Sequence, residues 1–267
     1  MKLRRFLWLA PIVTIFAVFL VLAPPETFGK AAPESGGPGF RAGLTLGYLS
    51  RSLSADDKEQ DASPKTTSLL AGVVLEYQFQ PGFAIAVQVG YSATNFDALT
   101  FRGLPFSVSL DRDSGKIGGL LLGAEVQKSL LSRGAFRADI RGQFLASFGM
   151  AKEWSLKGLA VEGSAKGTPT WMKASVGPVL AYQMGEGVCP FLNPRFDYLW
   201  GSFEFKETVQ DLKGNEKKDI KGKGRFAVGL GSDFDLTASL RIRAEASLYP
   251  HGDSVDSSFT IQTLLAF

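Results

Sequence analysis

One histidine and the serines that follow it are the first residues whose types and spacing could do chemistry. His251, Asp253, Ser254, Ser257 and Ser258 fall in one short stretch. Nucleophilic catalysis needs a hydroxyl within hydrogen-bond reach of a base, and a third group that orients the base. His251 is the chain's single histidine and so its one candidate of that type. Asp and Ser are also ordinary turn residues, and a turn explains the cluster without any reaction. A second group is the run Lys206, Lys213, Lys217, Lys218, Lys221 and Lys223, which could meet phosphates. Glu204, Glu207, Asp211, Glu216 and Asp219 dilute it, so the plain reading is a mixed, solvated hairpin extension.

Other motifs fail on spacing. Asp56, Asp57, Glu59 and Asp61 lack the order of a calcium loop, and Gly222, Lys223 and Gly224 are not followed by the Ser or Thr of a phosphate loop. The single cysteine, Cys189, cannot form an internal disulfide, and with one histidine it makes no metal cluster. No cofactor is expected.

The elements that would position such residues are strands. Ten segments alternate apolar and polar residues, each close to the length that crosses a bilayer as a tilted strand. In the first, Phe40, Ala42, Leu44, Leu46 and Tyr48 oppose Arg41, Gly43, Thr45 and Gly47. In the fifth, Phe136, Ala138, Ile140, Phe144 and Phe148 oppose Arg137, Asp139, Arg141 and Gln143. The seventh opens with Pro190 and Pro194, which weaken it because proline cannot donate to a ladder. Short connections, such as Pro81–Gly82 and Asp235 to Ala238, alternate with long polar ones, such as Asn95 to Lys116 and Glu204 to Gly224. Aromatic residues collect at both ends of the apolar faces, where rings suit the boundary of hydrocarbon and water.

The polar faces carry charges of both signs. Arg137, Asp139, Arg141, Arg195, Asp197, Arg241, Arg243 and Glu245 form the expected lumen charge network, with Arg225 also placed inward. Ten strands enclose little more than their own side chains, so paired charges filling the interior are expected rather than an ion pathway.

The amino terminus differs. Lys2, Arg4 and Arg5 precede an apolar run from Phe6 to Ala23, then small residues near Ala31. That order predicts a cleaved secretory signal over 1–31 and a short leader over 32–38, ahead of a barrel domain over 39–267. Removing the signal leaves 25 basic and 25 acidic residues, which gives no basis for a nucleic-acid partner.

On this alternation, the loop asymmetry and the terminal face Ile261, Thr263, Leu265 and Phe267, the chain resembles the bacterial outer-membrane β-barrel superfamily, the small OmpA-like and OmpX-like barrels in particular. The resemblance implies an all-β, antiparallel up-and-down transmembrane barrel of about ten strands, with eight or twelve as alternatives. It implies localisation in the bacterial outer membrane and a terminal Phe267 read as an assembly signal by periplasmic and outer-membrane machinery. Outer-membrane lipids including lipopolysaccharide are the expected partners of a monomeric protein. A structural or surface-interaction role is expected, with no enzymatic activity. The alternatives are a narrow passive channel and a lipid-modifying enzyme using His251, on the likeness of a histidine with nearby serines to outer-membrane lipid hydrolases and acyltransferases.

Overall fold

The computed structural model describes residues 39–55, 63–80, 82–155, 163–185 and 187–267. The expected signal and leader, and Asp56, Asp57, Glu59 and Asp61, lie outside the described residues. The rest is β-structure: β1 (Gly39–Ala55), β2 (Lys65–Gln80), β3 (Phe83–Asp97), β4 (Leu99–Phe101), β5 (Val108–Leu110), β6 (Ile117–Arg133) and β7 (Phe136–Gly149). The second half comprises β8 (Lys152–Ser155), β9 (Gly163–Tyr182), β10 (Val188–Val209), β11 (Leu212–Gly222), β12 (Phe226–Asp235), β13 (Leu240–His251) and β14 (Ser254–Ala266).

Ten of these strands close into a ring. Each pairs antiparallel with its neighbour in the order β1, β2, β3, β6, β7, β9, β10, β12, β13, β14, and β14 returns to β1. The chain from Asn95 to Lys116, where extra pairing could have added two strands to the ring, instead forms β4 and β5 as a separate hairpin. The alternation sets which way each side chain points. Leu44 is 61 % exposed and Phe144 41 % exposed, both on the outside, while Asp139, Arg141 and Asn193 are buried within. At the short-turn end, the rings of Phe40, Tyr77, Phe79 and Phe83 follow one another at 4.6, 4.6 and 5.3 Å. At the other end Tyr198 stacks on Trp200 at 5.3 Å. A closed barrel with an apolar exterior, a polar interior and two aromatic girdles is the architecture of the bacterial outer membrane, because closure leaves no unpaired edge in hydrocarbon.

At two gaps in the ladder a side chain takes over the bonding. Pro178 and Pro194 face each other across β9 and β10, where pairing stops after Leu192↔Leu180 and resumes at Phe196↔Val176. Neither proline has an N–H to give. With its amide nitrogen toward β9, Asn193 donates to the Pro178 carbonyl at 3.2 Å and accepts from Arg195 at 3.0 Å. Between β1 and β14, Gly43 leaves no room for a Cβ beside the Thr263 carbonyl, and the Thr263 hydroxyl accepts from Leu44 N–H at 3.1 Å. Removing the first patch should tell. Asn193→Leu should cost about 1–3 kcal/mol, the usual penalty for stranding a buried polar group, read from the urea midpoint of protein refolded in lipid vesicles. An unchanged midpoint would mean that the Pro178 carbonyl needs no partner.

Strand lengths then divide the barrel by height. About 9–11 tilted residues cross a bilayer, whereas β9 has 20 and β10 has 22. Their outer parts therefore stand clear of the membrane. There β11 pairs with β10 on one side and with the end of β1 on the other, through Leu53↔Gly222 and Ala55↔Ile220, so it passes above the shorter β12, β13 and β14. Gly224, in the left-handed region at φ 74°, lets the chain leave β11 and descend into β12.

Candidate functional site

The lumen is filled by three polar storeys with an apolar one above them. Nearest the periplasm, each arginine has a carboxylate: Arg41 with Glu76 at 3.0 Å, Arg137 with Asp139 at 3.1 Å and Arg241 with Asp235 at 2.6 Å. Gln127 also donates to Asp139 at 2.6 Å. These groups line a vestibule of about 680 Å³ that opens at the short-turn end and includes buried Cys189.

The middle storey spans the barrel. Arg141 on β7 reaches Glu245 on β13 at 3.0 Å, and Arg243 on β13 reaches Glu125 on β6 at 3.3 Å while also binding Asp233 at 2.7 Å. Arg195 on β10 donates to Glu245 and to the Ser247 hydroxyl, the latter at 2.9 Å. Strands on opposite walls are thus tied by charge pairs whose members are largely shielded from water. A cavity of about 90 Å³ remains among Gln88, Gln143, Lys173, Asn193 and Gln262, a space of solvent-molecule rather than ligand dimensions.

The upper polar storey turns on Arg51. Its guanidinium donates to Asp197 at 2.6 Å and to the carbonyls of Lys223 at 2.9 Å and Gly224 at 2.8 Å, and lies 4.1 Å over the Tyr249 ring. Lys173 lies 3.5 Å from the other oxygen of Asp197. Asp256 accepts from Ser52 N–H and its hydroxyl at 2.6 and 2.9 Å. It also sits 2.9 Å from His251 Nε2.

Above this the inward phase of the strands becomes apolar. Leu53, Phe96, Leu199, Phe203 and Phe205 point in and meet Leu99, Phe101 and Leu110 of the β4–β5 hairpin. Phe101 stacks on Phe205 at 4.7 Å, and Trp154 stacks on the other side of Phe205 at 5.7 Å. Glu216 accepts from Gly103 N–H at 2.7 Å and buried Glu207 from Phe106 N–H at 3.1 Å, which fastens the hairpin across the mouth. Lys152 Nζ and Trp154 Nε1 both donate to the Ser114 carbonyl at 2.8 Å, closing the side next to β8.

Each sequence-derived site residue can now be located. All eight residues of the expected lumen network point inward and lie beside an opposite charge. Arg225 does not belong with them. It lies off the end of β12, exposed, with its guanidinium 5.5 Å from the outward Tyr198 ring, because the turn at Gly224 shifts the alternation. Among the described residues no serine hydroxyl bonds the His251 imidazole; its carboxylate neighbour is Asp256 rather than Asp253. Arg51 and Asp256 were missed in sequence, although both sit on the inward phase of their strands. Phe267 is 78 % exposed at the periplasmic girdle, and its N–H donates to the Phe40 carbonyl at 3.3 Å. No group of His, Cys, Asp and Glu among the described residues is placed to hold a metal ion.

No protein-family model and no curated protein matches the chain. Among solved structures, it is similar to the outer membrane protease OmpT of Escherichia coli, at 10% identity over 88% of this chain and 96% of that one, TM-score 0.41. It is also similar to the translocator domain of the autotransporter NalP from Neisseria meningitidis, at 10% identity over 85% and 88%, TM-score 0.44. The attachment invasion locus protein Ail of Yersinia pestis matches at 13% identity over 86% and 99%, TM-score 0.29. These likenesses are distant, and the barrel is defined by the ladder of this chain itself.

Proposed function

We propose that this outer-membrane β-barrel is an occluded scaffold that presents a rigid external head for surface interactions, and that it carries no steady current. The observation behind this reading is the double closure of the lumen. A layer of cross-barrel ion pairs fills the middle, and an apolar layer held by the β4–β5 hairpin covers the mouth. A channel needs a continuous wetted path, and burying arginines against carboxylates at two heights is the opposite arrangement. The extended β9–β10–β11 sheet gives the head its own packed core, so its surface is held by strands rather than by mobile loops.

The reading includes a non-catalytic role for His251. The imidazole faces Asp256 at the β13–β14 turn, and Asp256 is already engaged by Ser52, which suits a tie between the turn and β1. Planar-bilayer recording of the refolded full chain tests the main claim: the membrane should stay at baseline apart from brief flickers. Large, stable, ion-selective steps would overturn it and favour a channel.

A further inference from the structure

The β4–β5 hairpin is built as one body. Leu99↔Leu110, Thr100↔Ser109 and Phe101↔Val108 pair within it, and the Thr100 and Ser109 hydroxyls bond at 3.1 Å. Its last turn is closed by Asp111, whose carboxylate accepts from Asp113 N–H at 3.0 Å and from the Ser114 hydroxyl at 2.9 Å. Among the described residues no backbone ladder joins this hairpin to the ring. Its base is anchored by side chains: Lys152 and Trp154 hold the Ser114 carbonyl, and the Asn95 amide donates to the Arg112 carbonyl at 2.9 Å. Its tip is clasped from the opposite side by Glu216 and Glu207, through the N–H groups of Gly103 and Phe106. Two short strands have little stability of their own. These fastenings, with buried Leu99, Phe101 and Leu110, keep the hairpin in place.

The closed position also carries costs, and they fall at the base and the clasp. Ala98, the single residue between β3 and β4, has φ 57°. A side chain disfavours that left-handed conformation, and such strain persists only where the surroundings impose it. The return connection turns at Gly115, with φ 77°. At the base Asn95 Oδ1, and at the clasp Glu207 Oε1, are buried with no hydrogen-bond partner among the described residues. Buried polar atoms left unbonded are uncommon and cost stability. Opening would relax Ala98 and wet both oxygens, against the loss of the hairpin's apolar contacts.

We propose that the β4–β5 hairpin is a hinged lid on the head, turning at Ala98 and Gly115 and released at Glu207 and Glu216. Single residues at element ends are where hinges absorb a change in backbone angle. The frame of β9, β10 and β11 stays fixed, and the open lid uncovers an apolar cup formed by Phe96, Leu199, Phe203 and Phe205. An apolar surface of that kind, kept from water in the closed head, is a means of presenting the head in two states. The inference goes beyond the occluded-scaffold reading, because opening leaves the cross-barrel pairs Arg141–Glu245 and Arg243–Glu125 in place.

The test measures the distance between spin labels at Ser107→Cys on the hairpin tip and Thr208→Cys on β10, both exposed positions. The full chain carries Cys189→Ser and is refolded in lipid vesicles. Three forms are compared: this parent, the clasp variant Glu207→Gln/Glu216→Gln, and the clasp variant with Ala98→Gly added. Glutamine keeps the shape of each clasp but removes the charge that strengthens its bond to N–H. Glycine adopts the Ala98 conformation without strain. The expected result is a dominant short distance in the parent and a longer one populated at least threefold more in the clasp variant. Ala98→Gly should reverse at least half of that gain. A single short distance in all three forms would overturn the proposal. So would a longer population that Ala98→Gly leaves unchanged, since the head would then have loosened generally rather than turned on this hinge. Bilayer recordings of the unsubstituted chain are independent of these distances, so failure here is separable from failure of the occluded-scaffold reading.

Discussion

Replacing Arg51 with methionine should destabilise the barrel by about 3–5 kcal/mol, the range for removing one partner of a buried ion pair. Arg51 and Asp197 are both fully shielded from solvent, and the guanidinium ties β1 to β10 across the lumen. It also satisfies two carbonyls where β11 gives way to β12. Methionine fills part of the space but leaves the Asp197 carboxylate with only Lys173 at 3.5 Å and Arg195 at 3.9 Å, both toward its other oxygen. The freed carbonyls of Lys223 and Gly224 lose their donor at the point where the head joins the barrel. Two measurements check this. The urea midpoint of protein refolded in lipid vesicles should fall, and trypsin should cut at the β10–β11 lysines much faster than in wild type. Adding Asp197→Asn should recover part of the loss, since a neutral amide needs no cation; a simple sum of the two single effects would deny the coupling. A midpoint shift worth less than about 0.5 kcal/mol, the size of an ordinary surface change, would remove Arg51 from the centre of this account.

How much of this arrangement the sequence carries depends on the kind of interaction. Alternation with a period of two is local, so the faces of β1, β7 and β14 can be read from neighbouring residues. The partners across the lumen cannot. Arg141 and Glu245 are 104 residues apart, and only closure of the ring brings them within 3.0 Å. Asp235 reads as a turn residue until β12 and β13 pair and set it against Arg241. The apolar storey left a signal of a subtler sort. In β1 the inward phase runs Arg41, Gly43, Thr45 and Gly47, then Leu49 and, past Arg51, Leu53: it turns apolar above the girdle. Phe203 and Phe205 do the same in β10. Read together, these switches indicate a second core outside the membrane, but a strand considered alone shows only the end of its alternation. The charges of the β10–β11 hairpin were ambiguous for the same reason. Which of Glu204, Glu207 and Glu216 face outward follows from the phase of the extended strands, and a loop has no phase.

Phe267→Asp should have its largest effect on assembly in cells and little on the folded barrel. The residue closes the outward face of β14 at the periplasmic girdle, where its ring is mostly exposed to the membrane boundary. Its backbone, not its ring, makes the link to β1, through Phe40. Substituting aspartate keeps that hydrogen bond, and a charge near the interface costs roughly 1 kcal/mol or less. Refolding into lipid vesicles should therefore proceed with a nearly wild-type urea midpoint. If the terminal aromatic is an assembly signal, delivery to the surface should fall severalfold or more, because the information lost is for recognition rather than packing. Surface labelling of intact cells, set beside refolding yield in vesicles, separates the two. A parallel fall in both would mean that the Phe267 ring stabilises the barrel itself, through the same girdle as Phe40 and Tyr77. Normal surface levels would leave Phe267 as one more interfacial aromatic, and the membrane placement would then stand on the closed ladder and the apolar exterior alone.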